Sequence, residues 1–308
     1  MSKISIYIYL LFIILISSVF NAVGQEFDGP LLWNPLLSKK TQVYTHVAKK
    51  TAADPLSLPF FEDFTGYGLY PDSTRWTDFQ VYINNTMCTS PVSRGVATFD
   101  ALDKNGIPYD SFSNTRFRYS DSLTSQPINL DLGTVTPGDS VYFSFYYQPQ
   151  GNGFYPQPLD SLMLYFKTRF GGYIKVWSAP GSSVLPFQEV MVPITDSLYF
   201  DSSFQFRFVN VAANFWADAI WNVDYIRLDR NRNMNDTAIN DLGFSSNPSF
   251  LLNDYTSMPY RQFYANRSGE TAAQYRDSIH NHNSSAQTVT YGYSAIALNN
   301  SATLQTPV

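Results

Sequence analysis

The chain of 308 residues has one cysteine, Cys88, and only four glutamates, Glu26, Glu62, Glu189 and Glu270. A single cysteine excludes an internal disulfide and any cysteine-rich zinc site, so packing alone must stabilise the fold. Three histidines and 15% charged residues leave little material for a metal cluster or an extended charged face. No amphipathic pattern long enough for a major helix occurs, and little helix is expected. The net charge of -5 and pI near 5.1, with no Lys/Arg-dense strand, exclude a general nucleic-acid binder. Motifs for nucleophilic hydrolases, zinc proteases and phosphate loops are also missing, and Gly151-Asn152-Gly153 has no helix after it.

What is present is aromatic. Phe, Tyr and Trp make up 17% of the chain, with 24 Phe and 22 Tyr, a composition that favours strands. The segment Asp139 to Arg169 organises the reading. Val141, Phe143, Phe145 and Tyr147 alternate with Tyr142, Ser144, Tyr146 and Gln148, and Leu162, Leu164 and Phe166 alternate with Met163, Tyr165 and Lys167. This period of two predicts two half-buried strands, read as a hairpin laying two apolar stripes on one side of a sheet. The loop joining them holds Pro149, Gly151, Gly153, Pro156 and Pro158, together with Phe154 and Tyr155, which a plain connector does not need.

Taken in order, Lys3 and the apolar run Ile4 to Phe20, followed by Ala22-Val23-Gly24, read as an export signal over 1–24, with an uncleaved anchor as the alternative. Residues 25–56 read as an extended leader. Strands are expected at Leu58 to Phe64, Trp76 to Ile83, Gly95 to Leu102, Leu123 to Leu132, the central pair, Tyr173 to Trp177, Phe187 to Ile194, Phe204 to Val211 and Trp221 to Leu228. In the last two, Phe204, Phe206 and Phe208 and then Trp221, Val223 and Tyr225 take the core side. Regularly spaced strands without intervening helices require antiparallel pairing. The expected fold is therefore all-β, a two-sheet antiparallel jelly-roll sandwich over 57–230. Residues 231–249 read as a linker, and 250–308 as a partial β module with strand candidates YRQFYA, YRDSIHNH and TVTYGYSA. Because the chain stops at Val308 without closing that module, a truncated frame is expected.

Three places carry a family resemblance: LPFFEDF at Leu58 to Phe64 with Trp76 following, DSLMLYF at Asp160 to Phe166, and FQFRF at Phe204 to Phe208 with WNVDYIRL at Trp221 to Leu228. Residues 57–230 resemble the jelly-roll modules of Bacteroidetes surface proteins, concanavalin-like sandwiches similar to MAM and cleaved-adhesin domains. The tail resembles the start of an immunoglobulin-like repeat. The resemblance implies export by the type IX machinery, although no C-terminal sorting domain is present. It further implies a structural calcium tying the first and last strands, through Glu62 or Asp63 and Asp224. Asp-Ser/Thr-apolar triplets at Ser122, Ser140, Ser161, Ser197, Thr237 and Ser278 resemble the O-glycosylation acceptor of such proteins; equally, Asp and Ser form turns that end loops before strands.

For ligand binding, exposed aromatic faces beside amides are what a carbohydrate or protein partner needs. Tyr146, Gln148, Gln150, Asn152, Phe154 and Tyr155 supply both, and Trp216 is a further candidate. His280 and His282 share a strand face, but two imidazoles without a third ligand read as solvated residues. Catalysis would need an acid pair assembled from separate strands, since Glu62 and Asp63 point to opposite sides of one strand. The expected function is an exported, non-catalytic surface adhesion or binding module recognising a glycan or an envelope protein. A structural part of the type IX secretion or gliding apparatus, and a carbohydrate-active enzyme, are the alternatives.

Overall fold

Alternation of large apolar and polar residues produces strands whose apolar faces must be buried, and two sheets accomplish this here by stacking. In the computed structural model the described residues are 32–38, 54–65, 68–112, 116–239, 241–244, 248–283, 285–290, 292, 295–296 and 303–305. The proposed signal and most of the leader lie outside them. Ten strands form the sandwich: β1 (Phe60–Glu62), β2 (Tyr82–Asn84), β3 (Val96–Phe99), β4 (Arg118–Thr124), β5 (Val141–Pro149), β6 (Ser161–Lys167), β7 (Tyr173–Pro180), β8 (Gln188–Ile194), β9 (Phe206–Ala212) and β10 (Trp221–Asp229). The first sheet runs β2-β3-β10-β5-β8, with β1 beside the second half of β10; the second runs β4-β9-β6-β7. All named strand pairs in both sheets are antiparallel. The eight strands β3 to β10 divide between the sheets as 3-10-5-8 and 4-9-6-7, the order of a jelly roll.

This order corrects the central hairpin. Strands β5 and β6 are not paired: β5 lies between β10 and β8, and β6 lies between β9 and β7 in the other sheet. Their apolar stripes therefore face one another across the core. The Phe143 ring lies 5.6 Å from Phe166 and 4.6 Å from Phe206. Period-two alternation fixes which side chains turn inward but not which strand is the neighbour, and the long connection after Pro149 lets the chain cross between sheets. Beside this cluster Trp76 packs edge-on against Phe60 at 5.8 Å and Phe206 at 5.6 Å. Burying such rings contributes about 1.5–3 kcal/mol each.

Other expectations change for local reasons. Segment 76–83 becomes a strand only at Tyr82, because Asp78 and Gln80 bond β4 with side chains: Gln80 Oε1 accepts from Ser122 N at 2.9 Å and Asp78 Oδ1 accepts from Thr124 N at 2.7 Å. Regular pairing likewise ends at Thr124, and Ser125 and Ile128 continue only as isolated bridges. Tyr225 does not take the core side. A bulge between Asp224 and Arg227, with Tyr225 at φ 51°, shifts the parity so that Ile226 and Leu228 turn inward. In the leader, Pro35–Ser38 is a short helix, not an extended arm, docked by Leu37 and by Asn34 N donating to Gly106 O at 2.8 Å.

Beyond the sandwich, Arg232 is clamped beside the β10 bulge. Its guanidinium donates to Asp236 Oδ2 at 2.7 Å and Ser144 Oγ at 2.9 Å, with its side chain 3% exposed. The segment read as a linker also contains β11 (Leu242–Phe244), which pairs with β12 (Ile279–Asn281). Tyr260–Ala265, expected as a strand, is a helix: Tyr260 and Tyr264 meet across one turn at 5.7 Å and no partner strand is available. Of the candidate TVTYGYSA, Ala295–Ile296 pairs with Thr303–Gln305, and several of its residues lie outside the described ones.

A second polar cluster lies at the end of the sandwich. Asp121 accepts from Asp100 N (2.8 Å), Ala101 N (2.7 Å) and the Tyr109 hydroxyl (2.9 Å), while Asp100 is buried beside it. Burial pushes Asp121 up to about 7, and burial with the neighbouring Asp121 charge holds Asp100 well above the carboxylate range. Asp100 accepts from Leu102 N and the Asn34 side chain, and burial raises both carboxyls of the pair.

Two outcomes follow for stability. Arg232→Ala, read by urea unfolding, is expected to cost about 2 kcal/mol, because its charged hydrogen bonds to Asp236 and Ser144 are lost and Asp236 keeps only the longer pair with Arg227 at 3.4 Å. A change within about 0.5 kcal/mol would show the clamp to be idle. Because Asp121 is raised to about 7 and Asp160 to about 6 from 3.8, the folded chain keeps protons that the unfolded chain has released between pH ~4 and ~7. Their contribution is full below the unfolded value and lost as pH rises through that window. The melting midpoint should therefore fall from pH ~4.5 to ~7.5, and Asp100→Asn should flatten the fall. A midpoint that climbs with pH in both proteins contradicts the buried-proton assignment.

Candidate functional site

Both inner faces are core, so a ligand has only the outer faces and the loop ends. The outer face of the first sheet is covered over β3, β10 and the end of β5, while Glu189, Met191 and Pro193 of β8 remain partly accessible. Thr98, Asn222 and Gln148 lie in one cross-strand row, and the Thr98 hydroxyl donates to Asn222 Oδ1 at 2.7 Å. Segment 85–94 lies over that row: Thr89 N donates to Gln148 Oε1 at 2.8 Å, and Ser93 N and Oγ donate to Asp224 at 3.0 Å. Gly151, at φ +59°, permits the contact, since a Cβ there would stand 2.0 Å from Met87 O.

This cover decides most of the expected binding loop. Gln148 is fully buried and also donates to the Thr89 and Leu185 carbonyls, so it is a structural tie and not a ligand contact. Gln150 Oε1 accepts from Val184 N at 2.8 Å, and Asn152 Nδ2 donates to the Thr86 and Cys88 carbonyls. Tyr146 lies 6.2 Å from Tyr225 on the same outer face, beside Glu189. Phe154 and Tyr155, stacked at 5.4 Å, remain at the sandwich end with Tyr155 42% exposed. Trp216 is at the same end, since Ile220 N donates to Phe154 O and Asn214 Nδ2 donates to Tyr119 O; the indole packs on Phe215 at 4.4 Å beneath the Arg116 guanidinium.

The expected calcium ligands each accept from protein donors. Asp224 takes its bonds from Ser93 and from Tyr225 N (2.6 Å), Glu62 from Phe64 N (3.0 Å) and Trp76 Nε1 (3.1 Å), and Asp63 from Thr65. Acceptor oxygens occupied by protein donors do not fit a cation needing six to eight oxygen ligands. Burial raises both Glu62 and Asp224, with the Asp63 charge adding to Asp224. His280 and His282 stack at 4.3 Å, and His282 Nε2 lies 2.6 Å from Val92 O, which ties the tail to the covering segment. No cluster of three or more His, Cys, Asp or Glu side chains able to hold a metal occurs among the described residues.

Of the glycosylation candidates, Ser140, Ser197, Thr237 and Ser278 are exposed, and Ser161 opens β6. Ser122 lies within β4 and its hydroxyl is spent on Asp78 (2.8 Å) and Gln80 (2.7 Å). The turn reading holds locally at Asp196, which caps Leu198 N, and at Asp277, which accepts from Ser278 N.

The outer face of the second sheet is open, and the loop-centred reading missed it. Its register sets Tyr119, Val211, Ser161 and Pro180 in one row, Ser122, Val209, Met163 and Ser178 in the next, and Thr124, Arg207, Tyr165 and Lys175 in a third. Lys167 opposite Tyr173 extends it. The floor is small or apolar while tyrosines rise from it, Tyr119 being 68% exposed. Burial, then the Tyr119 hydroxyl, pushes Tyr165 up to about 12, so it stays a neutral donor. Arg207 donates to Thr124 Oγ1 at 2.9 Å and stacks on the Tyr173 ring at 4.0 Å. At the Tyr119 end a recess of about 470 Å³ is lined by Phe117, Arg118, Tyr119 and Val211. The sequence signal was the second parity of the strands, Met163-Tyr165-Lys167 and Arg207-Val209-Val211.

No protein-family model and no curated protein matches the chain. Among solved structures it is similar to an exo-β-agarase (12% identity, TM-score 0.37, covering 58% of this chain and 26% of that one). It is also similar to a xylan-binding domain of Paenibacillus barcinonensis (10%, TM-score 0.31, 59% and 99%). A third is a Caldicellulosiruptor saccharolyticus module solved with mannohexaose (11%, TM-score 0.31, 56% and 96%). The chain thus spans about a quarter of the agarase's length, and likenesses this distant transfer neither ligand nor residue role to it.

Proposed function

We propose that the chain is an exported, non-catalytic module that binds glycan across the outer face of β4-β9-β6-β7 and serves in surface adhesion. The observation that carries this reading is the asymmetry of the two outer faces. One is covered along β3, β10 and the end of β5 by segment 85–94, whereas the other presents Tyr119, Tyr165 and Tyr173 over a floor of Val209, Val211, Met163 and Ser161. Tyrosine gives a pyranose an apolar ring for its C–H face and a hydroxyl for its polar rim, and a strand-built platform holds both rigid. Export rests on Lys3 and the run Ile4 to Phe20. Among the described residues no helix is long and apolar enough to cross a membrane.

The placement of the acids supports the non-catalytic part. Asp100 with Asp121, and Asp160 with Asp218, are brought near one another by the fold, but all four are at most 4% exposed. A glycosidic bond needs an acid and a base that reach it from a cleft, and these carboxyls face protein.

Calorimetric titration of the full chain with a panel of oligosaccharides tests the reading. Saturable binding is expected, with Tyr165→Ala weakening it about tenfold (~1.4 kcal/mol) at unchanged melting midpoint. Tyr155→Ala should act less, since it stands beyond the platform's end. If no oligosaccharide binds at millimolar concentration, the reading fails and the protein-partner and export-machinery alternatives take its place.

A further inference from the structure

The described ion pairs leave an uneven residue of cations. Arg75 pairs with Glu62, Arg118 with Asp110, Arg227 with Asp229 and Asp236, and Arg232 with Asp236. Arg207, Lys175 and Lys167 make no ion pair among the described residues, and all three sit on the open face. Arg207 and Lys175 flank Tyr165 in a single cross-strand row, and Lys167 is two residues further along β6 opposite Tyr173. Two acids lie nearby: Asp78, which accepts from Ser122 and Thr124, acts through space on Arg207, and Asp201, which accepts from Ser203, acts on Lys167, neither forming an ion pair with it. In a chain of net charge -5, three cations thus share one sheet face, with Lys175 exposed at its edge strand.

From this charge arrangement we infer that the face is built for a glycan bearing carboxylates, a uronic-acid polymer, with Arg207 and Lys175 taking successive carboxylates on either side of Tyr165. The inference rests on the glycan reading above and names its ligand class. Arg207 is the specific element. Its fork is oriented before any ligand arrives, by Thr124 Oγ1 at 2.9 Å and the Tyr173 ring at 4.0 Å, and a planar guanidinium matches a carboxylate in two parallel hydrogen bonds. Lys175, exposed and two strands away, stands on the order of 10 Å from it, which is the reach of a short oligosaccharide and not of one ring. Tyr165 between them supplies the apolar contact, so charge and stacking act on the same ligand. Lys167 is held back by the Ser203 carbonyl at 3.1 Å and adds field more than contact.

The test titrates the full chain with a galacturonate hexamer, a neutral galactose hexamer and inorganic polyphosphate, at about 50 mM and about 300 mM salt. The expected result is galacturonate binding about tenfold tighter than the neutral hexamer at low salt, with the preference shrinking at high salt. Lys175→Glu should remove about fivefold or more of galacturonate affinity and leave the neutral hexamer unchanged; Arg207→Lys, which keeps the charge but not the fork, should also lose affinity. Equal binding of both hexamers with Lys175→Glu silent overturns the inference while the glycan reading stands. Polyphosphate bound as tightly as galacturonate marks an unspecific polyanion patch and overturns it as well. If neither hexamer binds, the inference is overturned, and the oligosaccharide panel above separately decides the glycan reading. Unchanged melting midpoints in the variants keep misfolding out of each comparison.

Discussion

The contact of Phe143 with Phe206, ring centroids 4.6 Å apart, is where the two sheets are held together, and most of what this molecule can do follows from that closure. Phe143 belongs to the first sheet and Phe166, Phe206 and Phe208 to the second, so one ring is gripped by three from the opposite layer. Protein interiors are packed as densely as organic crystals, and such a cluster leaves no room for a ligand between the sheets. Specific recognition is thereby pushed outward. The outer faces differ only in what the connecting segments do to them.

On the first sheet the connection between β2 and β3 folds back over its own strands. Thr98, Asn222 and Gln148 then have to be satisfied beneath it, and Asp224 becomes a buried acceptor for Ser93. A buried polar group without a partner costs about 1–3 kcal/mol, so this row specifies one position for the covering segment. The same need explains the glycine at 151, where the covering backbone approaches closest. Residues that look suited to a ligand because they are amides beside aromatics are here the means by which the cover is fastened. Arg232 does comparable work on the same side, filling the space beside the β10 bulge with a paired charge.

How much was legible in the residues can be argued from the same elements. Val141, Phe143 and Phe145, Leu162, Leu164 and Phe166, and Phe206 and Phe208 announce their buried parity, and all are buried as the alternation requires. The two-sheet class follows from many such strands without helices. Neighbour relations do not follow, because alternation is identical whether β5 pairs with β6 or faces it across the core. The bulge at Tyr225 is invisible for a related reason: one extra residue shifts the parity of everything after it. Gln148 was misassigned because an amide in an aromatic stretch reads the same whether it meets a sugar or a backbone. Tyr165 and Arg207 were legible as outward residues, but nothing in a linear pattern tells an open outer face from a covered one.

The open face and the sandwich end are not separate places. Tyr119 lies in the outermost row of the platform, and its carbonyl accepts from Asn214, two residues before Trp216. The recess lined by Phe117, Arg118, Tyr119 and Val211 lies at this end of the platform. The charges are distributed unequally along this path. Arg207, Lys175 and Lys167 lie toward the far end of the sheet, whereas Arg118 at the recess is neutralised by Asp110 at 3.1 Å. The cross-strand row of Arg207, Tyr165 and Lys175 is therefore the part of the face where cations and an aromatic ring stand side by side, and the Tyr119 end is the part where aromatic surface stands beside an ion pair.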